Sequence, residues 1–272
     1  MMRIFQLIVY LLLPSALVVA EEQHIPIFDG HIHYNHDVWE PLPPAKALEY
    51  LTRAGITRAI VSSTPADGTE RLYKADSRRV VPFLRPYKDD LSQYTWFKDP
   101  DVPAYVKKHL QRISYRGIGE LHLFGEDTKR PIVREVLQIA RKHRLVVLAH
   151  TNEAGLVSIV EQVPGNTLIW AHAGFDVEIS RLRALLNTHP KLYLELSFRE
   201  GMVNEEGKLT TEWRALLTDH SARFLVGMDT YVPSRWAELT ELAAQARGWL
   251  SQLPTAVARK IAHDNAAKLF ED

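Results

Sequence analysis

The stretch Phe28-Asp29-Gly30-His31-Ile32-His33 decides how the chain is read, because it ends a short apolar run on two imidazoles. Side chains alternate across a strand, so His31 and His33 share one face, with Asp29 one step earlier on that face. Such a pair can clamp a metal ion, although an HxH triplet also arises by chance and reads equally as a hydrogen-bonded strand end. Working outward, three further apolar runs stop on a potential ligand: 145–150 on His150, 168–172 on His172 and 224–229 on Asp229. Taken singly, His150 and His172 would read as satisfied core histidines, and Asp229 as a helix cap with Ser234 its rival. Together, in chain order, the four endings point to one site.

From Ile25 onward, strand-like runs alternate with helical periodicity, the pattern of βα units on a parallel sheet. The sequence predicts strands near 25–29, 57–62, 79–84, 115–121, 145–149, 167–171, 191–196 and 222–227. Helices fit near 43–54, 67–76, 101–112, 130–143, 153–163, 175–188, 210–219 and 234–251. Gly55, Gly165 and Pro190 punctuate helix-to-strand turns. Eight such units close into a single-domain α/β fold, a (β/α)8 TIM barrel, whose usual size is about 250 residues and whose sites lie at the C-terminal strand ends. Every candidate ligand falls at such an end. A closing helix over 254–270 is expected to cover one end of the barrel. The loops 34–44, 86–100 and 198–209 are longer than a turn needs and belong to the ligand face. In the middle one, Tyr94, Trp96 and Phe97 either line a pocket or pack the loop onto the barrel.

Residues 1–20 have the pattern of a secretory signal peptide: Arg3, an apolar stretch over 4–13, and Val18-Val19-Ala20 before Glu21. This predicts a mature domain over 21–272, exported to the periplasm or secreted. An uncleaved membrane anchor fits less well, since a span needs about 20 apolar residues and Gln6 and Pro14 interrupt this one. Lysine plus arginine equals aspartate plus glutamate at 33 each. No overall field therefore recruits nucleic acid or an anionic membrane, and the expected partner is a small-molecule substrate. The chain has no cysteine, so any metal must take nitrogen and oxygen ligands.

By strict alternation, His150 points into the barrel with Val146 and Leu148, His172 with Leu168 and Trp170, and Asp229 with Leu225 and Gly227. On the fourth strand, Ile118, Glu120 and His122 face inward against outward Gly119, Leu121 and Leu123. A divalent ion on His31, His33, His150 and Asp229, with one position left for water, meets the demands of a catalytic site. Water on such an ion has its pKa lowered toward about 7. Zinc is the first expectation, with manganese, iron and cobalt compatible. Asp229 could accept the water's proton, and His172 could polarise a substrate oxygen or hold a second ion. Glu120, costly to bury unpaired, either bridges two ions or pairs with an inward arginine such as Arg85 or Arg199. His122 is read as a pocket residue. His24, His36, His109, His143, His189, His220 and His263 are read as surface or structural.

The pattern of DxHxH after strand one, His150 and His172 after strands five and six, and Asp229 after strand eight resembles the amidohydrolase superfamily of metal-dependent barrel enzymes. The segment Ile261-Ala262-His263-Asp264-Asn265-Ala266-Ala267-Lys268-Leu269-Phe270 is similar to the closing helix of its amidohydrolase-related branch, which holds both hydrolases and zinc-dependent decarboxylases. The resemblance implies His31, His33 and His150 as metal ligands, Asp229 as ligand and general base, and His172 as second-metal ligand or substrate contact. Glu120, within Gly-Ile-Gly-Glu, is similar to the strand-four glutamate of the TatD-like branch, which bridges two metals. Many binuclear relatives instead carry a carboxylated lysine there, and no lysine lies on this strand. The implied activity is hydrolysis of a small ester, lactone, amide or phosphoester. Decarboxylation of a small carboxylic acid and a non-catalytic metal- or ligand-binding barrel are the alternatives.

Overall fold

Eight apolar runs pair side by side in chain order, every neighbour parallel. In the computed structural model, which describes residues 25–271, the strands are β1 (Ile27–Ile32), β2 (Ile56–Ser62), β3 (Val80–Leu84), β4 (Gly117–His122), β5 (Val146–His150), β6 (Leu168–Trp170), β7 (Leu192–Glu195) and β8 (Phe224–Leu225). Backbone bonds of 2.7 Å from Gly30 to the Val226 carbonyl and from Asp229 to the His31 carbonyl join the last strand to the first. The sheet thus forms the expected (β/α)8 barrel. Seven helices separate the strands: α1 (Pro44–Arg53), α2 (Asp67–Ala75), α3 (Val102–His109), α4 (Pro131–Lys142), α5 (Glu153–Gln162), α6 (Ile179–Thr188) and α7 (Thr211–Asp219). The chain ends with α8 (Pro233–Ala237), α9 (Leu239–Leu250), α10 (Thr255–Arg259) and α11 (Asn265–Phe270). The signal expected over 1–20 lies outside the described residues.

Helix α4 illustrates why these segments wrap the sheet. Val133, Val136, Leu137 and Ala140 recur at spacings of three and four and are buried, while Arg134, Glu135 and Arg141 face outward. Pro131 opens the helix, where its missing N–H costs nothing. A separate apolar cluster fills the barrel: Phe28, Ile60, Val81, Phe83, Val146, Leu148, Ile169 and Leu225, closed by Ala266 and Phe270 of α11. Phe270 lies 6.1 Å from the Phe28 ring and 5.8 Å from Phe83, and burying a side chain of that size contributes about 1.5–3 kcal/mol. Asn265 Nδ2 fastens the plug by donating to the Ser221 and Phe224 carbonyls, at 2.8 Å each. The N-terminal end of the barrel interior is therefore stoppered by α11.

Three details depart from strict alternation. On β6 it is Ile169 that faces the interior, while Leu168 and Trp170 pack against the helices. His172 still reaches the mouth because His172 and Ala173 adopt left-handed backbone, φ 58° and 46°. On β4, Ile118 packs outward, and a register shift between Ile118 and Leu121 restores Glu120 to the inside. On β1, Phe28 faces inward, and the shift between Asp29 and Ile32 turns the histidines in without Asp29. The Asp29 carboxylate instead accepts from the backbone N–H of His31 (2.9 Å) and Met228 (3.1 Å), bracing the seam. At the end of the barrel, β8 spans two residues rather than 222–227, because Ser221–Arg223 form a 3-10 turn and Val226 bonds to Gly30 and Ile261. The eighth helix, expected as one piece over 234–251, breaks at Glu238. The short α8 seats buried Trp236 so that its Nε1 donates to the His33 carbonyl at 3.0 Å.

Candidate metal centre

The rings of His31 and His33 are fixed through Nδ1. His31 Nδ1 donates to Glu195 Oε2 at 2.9 Å, and His33 Nδ1 to the Ser62 carbonyl at 2.6 Å. Carbonyl and carboxylate oxygens only accept, so both Nδ1 atoms carry protons and each Nε2 is the position left for a metal ion or for the second proton of a charged ring. These two nitrogens stand 3.1 Å apart. Lone pairs at that separation repel unless a cation or a proton lies between them. His172 follows the same design: Nδ1 donates to the Ser197 carbonyl at 2.9 Å, leaving Nε2 aimed at Glu120 Oε1 (3.6 Å) and Asp229 Oδ2 (4.0 Å).

Two carboxylates complete the cluster. Glu120 Oε2 lies 3.6 Å from His31 Nε2 and 3.3 Å from His33 Nε2. Asp229 Oδ1 lies 3.8 and 3.3 Å from the same atoms and, although buried, has no hydrogen-bond partner. A tetrahedral zinc ion holds its donors about 3.4 Å from one another. The observed separations bracket that figure, and an unpartnered buried carboxylate oxygen is the kind of atom an ion satisfies. The residues present therefore fit a divalent cation. His150 Nδ1 is bound to the other Glu120 oxygen at 2.8 Å, so Glu120 rather than His150 sits nearest the HxH pair.

Charge follows the same logic. Burial disfavours the His31 imidazolium, yet Asp229, Glu120 and Glu195 outweigh it and hold its pKa well above the ordinary value. Burial alone would raise the carboxylates, but the imidazoles around them, His31 foremost for Asp229, keep Glu120, Asp229 and Glu195 below the usual range. The cluster demands positive charge. His122 is the exception: burial pushes it down to about 3, so it is neutral.

A cavity of about 550 Å³ opens over the donors. Asn35, Gln93, Tyr94 and Phe198 bring all three long loops to its wall, as expected, with Phe175 and Tyr231 beside them. Tyr94 lines the rim while Trp96 and Phe97 are buried in loop packing, which divides the aromatics between the two expected roles. A second cavity of about 520 Å³ lies behind the barrel wall against α9 and offers Arg235 as its one ionisable side chain. The chemistry belongs to the first.

His31, His33, Glu120, His150, His172 and Asp229 all converge here. Of the two arginines considered for Glu120, Arg85 is the partner, its Nη2 at 2.9 Å from Oε2. Arg199 turns away, donating to the Val177 carbonyl at 2.7 Å with its guanidinium over Trp213. Sequence reasoning missed Glu195, the fully buried partner of His31. The signal was present, for 192–195 is another apolar run ending on a potential ligand. It also missed Tyr87, whose hydroxyl lies 2.9 Å from His122 Nδ1.

The fold and the site together define a (β/α)8 barrel with a cluster of imidazoles and carboxylates at its open mouth that could hold a metal ion. The sequence profile of the amidohydrolase family matches residues 28–271, and the chain belongs to that family. No curated protein matches it. Among solved structures, it is similar to an amidohydrolase from Burkholderia multivorans with bound zinc, at 17% identity and a TM-score of 0.57, over 90% of this chain and 98% of that one. A 2,6-dihydroxybenzoate decarboxylase complexed with 2,6-dihydroxybenzoate superposes with a TM-score of 0.57 at 12% identity, over 90% and 99% of the two chains. A protein described as a probable 2-pyrone-4,6-dicarboxylic acid hydrolase from Acinetobacter baumannii, with citric acid bound, gives 0.60 at 13% identity over 90% and 98%. At these identities the likeness is one of fold.

Proposed function

We propose that this protein is a metal-dependent hydrolase of a small, flat, uncharged ester, lactone, amide or phosphotriester. The observation that carries the reading is the donor set: His31 Nε2, His33 Nε2, Glu120 Oε2 and unpartnered Asp229 Oδ1, 3.1–3.8 Å apart where measured against the histidines. A divalent ion, zinc first, supplies Lewis acidity and an acidified water when bound. His31, His33, Glu120 and Asp229 would hold it, with His150 bonded to the other Glu120 oxygen. Asp229 stays ionised and takes a proton from the attacking water, then passes it to the departing oxygen or nitrogen. His172 Nε2 faces the same space and hydrogen-bonds or polarises the substrate oxygen. The aromatic rim of Tyr94, Phe198 and Tyr231, exposed at the mouth, suits a planar substituent. Within the cavity wall, Arg85 is already neutralised by Glu120, which favours an uncharged substrate over an anion.

Decarboxylation is the second reading, favoured by the fold shared with the dihydroxybenzoate decarboxylase. The leader pattern of residues 1–20 supports export. Zinc-loaded protein should be assayed against aryl esters, lactones, amides and phosphoesters, and in parallel against aromatic carboxylic acids for carbon dioxide release, each with a chelated control. Chelator-sensitive turnover in the first panel is expected. Turnover in the second alone replaces hydrolase by decarboxylase, and activity that survives complete metal removal refutes both.

A further inference from the structure

We propose that the cavity behind the barrel wall is a second binding site, for a small amphipathic monoanion: a carboxylate held by Arg235 with its apolar chain laid along α9. None of the residues around it is a candidate metal ligand, so its occupancy does not depend on the metal-centre reading.

The cavity of about 520 Å³ falls within the range of small-molecule sites. Leu196, Val226 and Met228, which follow β7 and β8, pack on the helix side of the sheet and form its floor, and Leu242, Ala246 and Trp249 of α9 form its wall. No carboxylate lines it among the described residues. Gly248 also stands on the α9 wall. A glycine within a helix is less stable there than alanine, yet a Cβ at Gly248 would meet nothing within 4 Å. Packing of the chain on itself does not call for this glycine, and the space that it leaves open is the cavity.

Arg235 supplies the one charge. A guanidinium carries five N–H donors in a fixed plane and does not deprotonate in proteins. Nε and Nη2 donate to the Asp229 and Met228 carbonyls, and the guanidinium carbon lies 4.2 Å from the centre of the Phe198 ring. The side edge of the group is thus spent, and the side chain is held in place before any ligand arrives, which lowers the ordering cost of binding. The end edge, formed by Nη1 and the remaining N–H of Nη2, has no partner among the described residues. A carboxylate matches such an edge with two parallel charge-assisted bonds. One cation answers one negative charge, and the apolar wall offers nothing to a second charge or to a polar tail. Arg235 borders this cavity and not the one over the metal donors, so the two sites are separate.

Octanoate is the probe and octanamide, of the same shape, its neutral control. Isothermal titration calorimetry is run on zinc-loaded and on chelated protein, because a carboxylate held at the metal centre needs the ion and one held by Arg235 does not. Octanoate should bind both forms at one equivalent, and octanamide at least about tenfold more weakly. Gly248→Phe, whose ring lies back over the preceding turn toward Gln245 and into the cavity, should weaken octanoate at least about tenfold, as should Arg235→Met. No binding to wild type, binding that requires zinc, or a loss below about threefold with octanamide or in either folded variant overturns the proposal. Arg235→Met also releases the Asp229 carbonyl; should it fail to fold, Gly248→Phe and octanamide decide the matter by the same criteria.

Discussion

Replacing Glu195 by glutamine tests how the buried carboxylate prepares the site. Glu195 gathers four donors: His31 Nδ1 at 2.9 Å, Ser197 Oγ at 2.9 Å and the His172 backbone N–H at 3.4 Å on Oε2, with the Ser197 N–H on Oε1. Glutamine offers one oxygen and turns an NH2 toward at least one of those donors. Removing a partner that fixes a ligating histidine lowers metal affinity about 10- to 100-fold, or roughly 1.4–2.7 kcal/mol. A buried donor left unpaired costs the fold about 1–3 kcal/mol more. Competition with a chromophoric chelator gives the zinc affinity, and thermal unfolding in excess chelator isolates the fold term. A folded Glu195→Gln protein whose zinc affinity lies within about threefold of wild type would refute the role assigned to Glu195.

Asp229→Asn should retain the fold and lose about 10²- to 10⁴-fold in kcat, measured at matched zinc content; unchanged kcat removes Asp229 from the proton transfer. Zinc affinity should rise with pH through neutrality, because the ion-free chain holds a proton on His31 well above the ordinary pKa of 6.5 and binding must displace it. Calorimetry in buffers of differing ionisation enthalpy reads that proton directly, and an affinity flat between about pH 6 and 8 contradicts the arrangement. Gly227→Ala places a methyl 2.2 Å from Glu195 Oε1 and 2.9 Å from His31 Cβ, so it should destabilise the protein by about 1–3 kcal/mol and weaken zinc binding. Chemical denaturation and the same chelator competition test this, and a neutral substitution would show that Glu195 is free to move.

Much of the barrel was legible because its periodicities are local. Apolar runs ending on His150, His172 and Asp229 marked the strand ends, and the observed strands fall within a few residues of those expected. The side-chain directions were less legible. Alternation fails wherever the backbone departs from a regular ladder, as at the shifted registers of β1 and β4 and at left-handed His172. The outcome at the site survived because these irregularities turn the functional side chains inward, at the expense of Asp29, Ile118 and Leu168. Pairing was legible only as a choice. Sequence named Arg85 and Arg199 as partners for Glu120, but the decision between them depends on loops meeting across the barrel mouth. Glu195 ends an apolar run as the candidate ligands do, but its role as the partner of His31 depends on β1 and β7 meeting at the mouth, 164 positions apart in sequence.

The seam between β1 and β8 carries a consequence for folding. His33 is laced to Thr230, 197 positions away, by bonds in both directions, and the pair flanks the histidines and Asp229. An ion gripping both strands would act as a clasp on a ring whose free ends meet last. Closing so long a chain costs roughly 5 kcal/mol of entropy, so the cylinder should zip from its interior strands and lock at this join. With the clasp absent, amide exchange would open the barrel there first, and the machinery for chemistry would double as the fastener of the architecture.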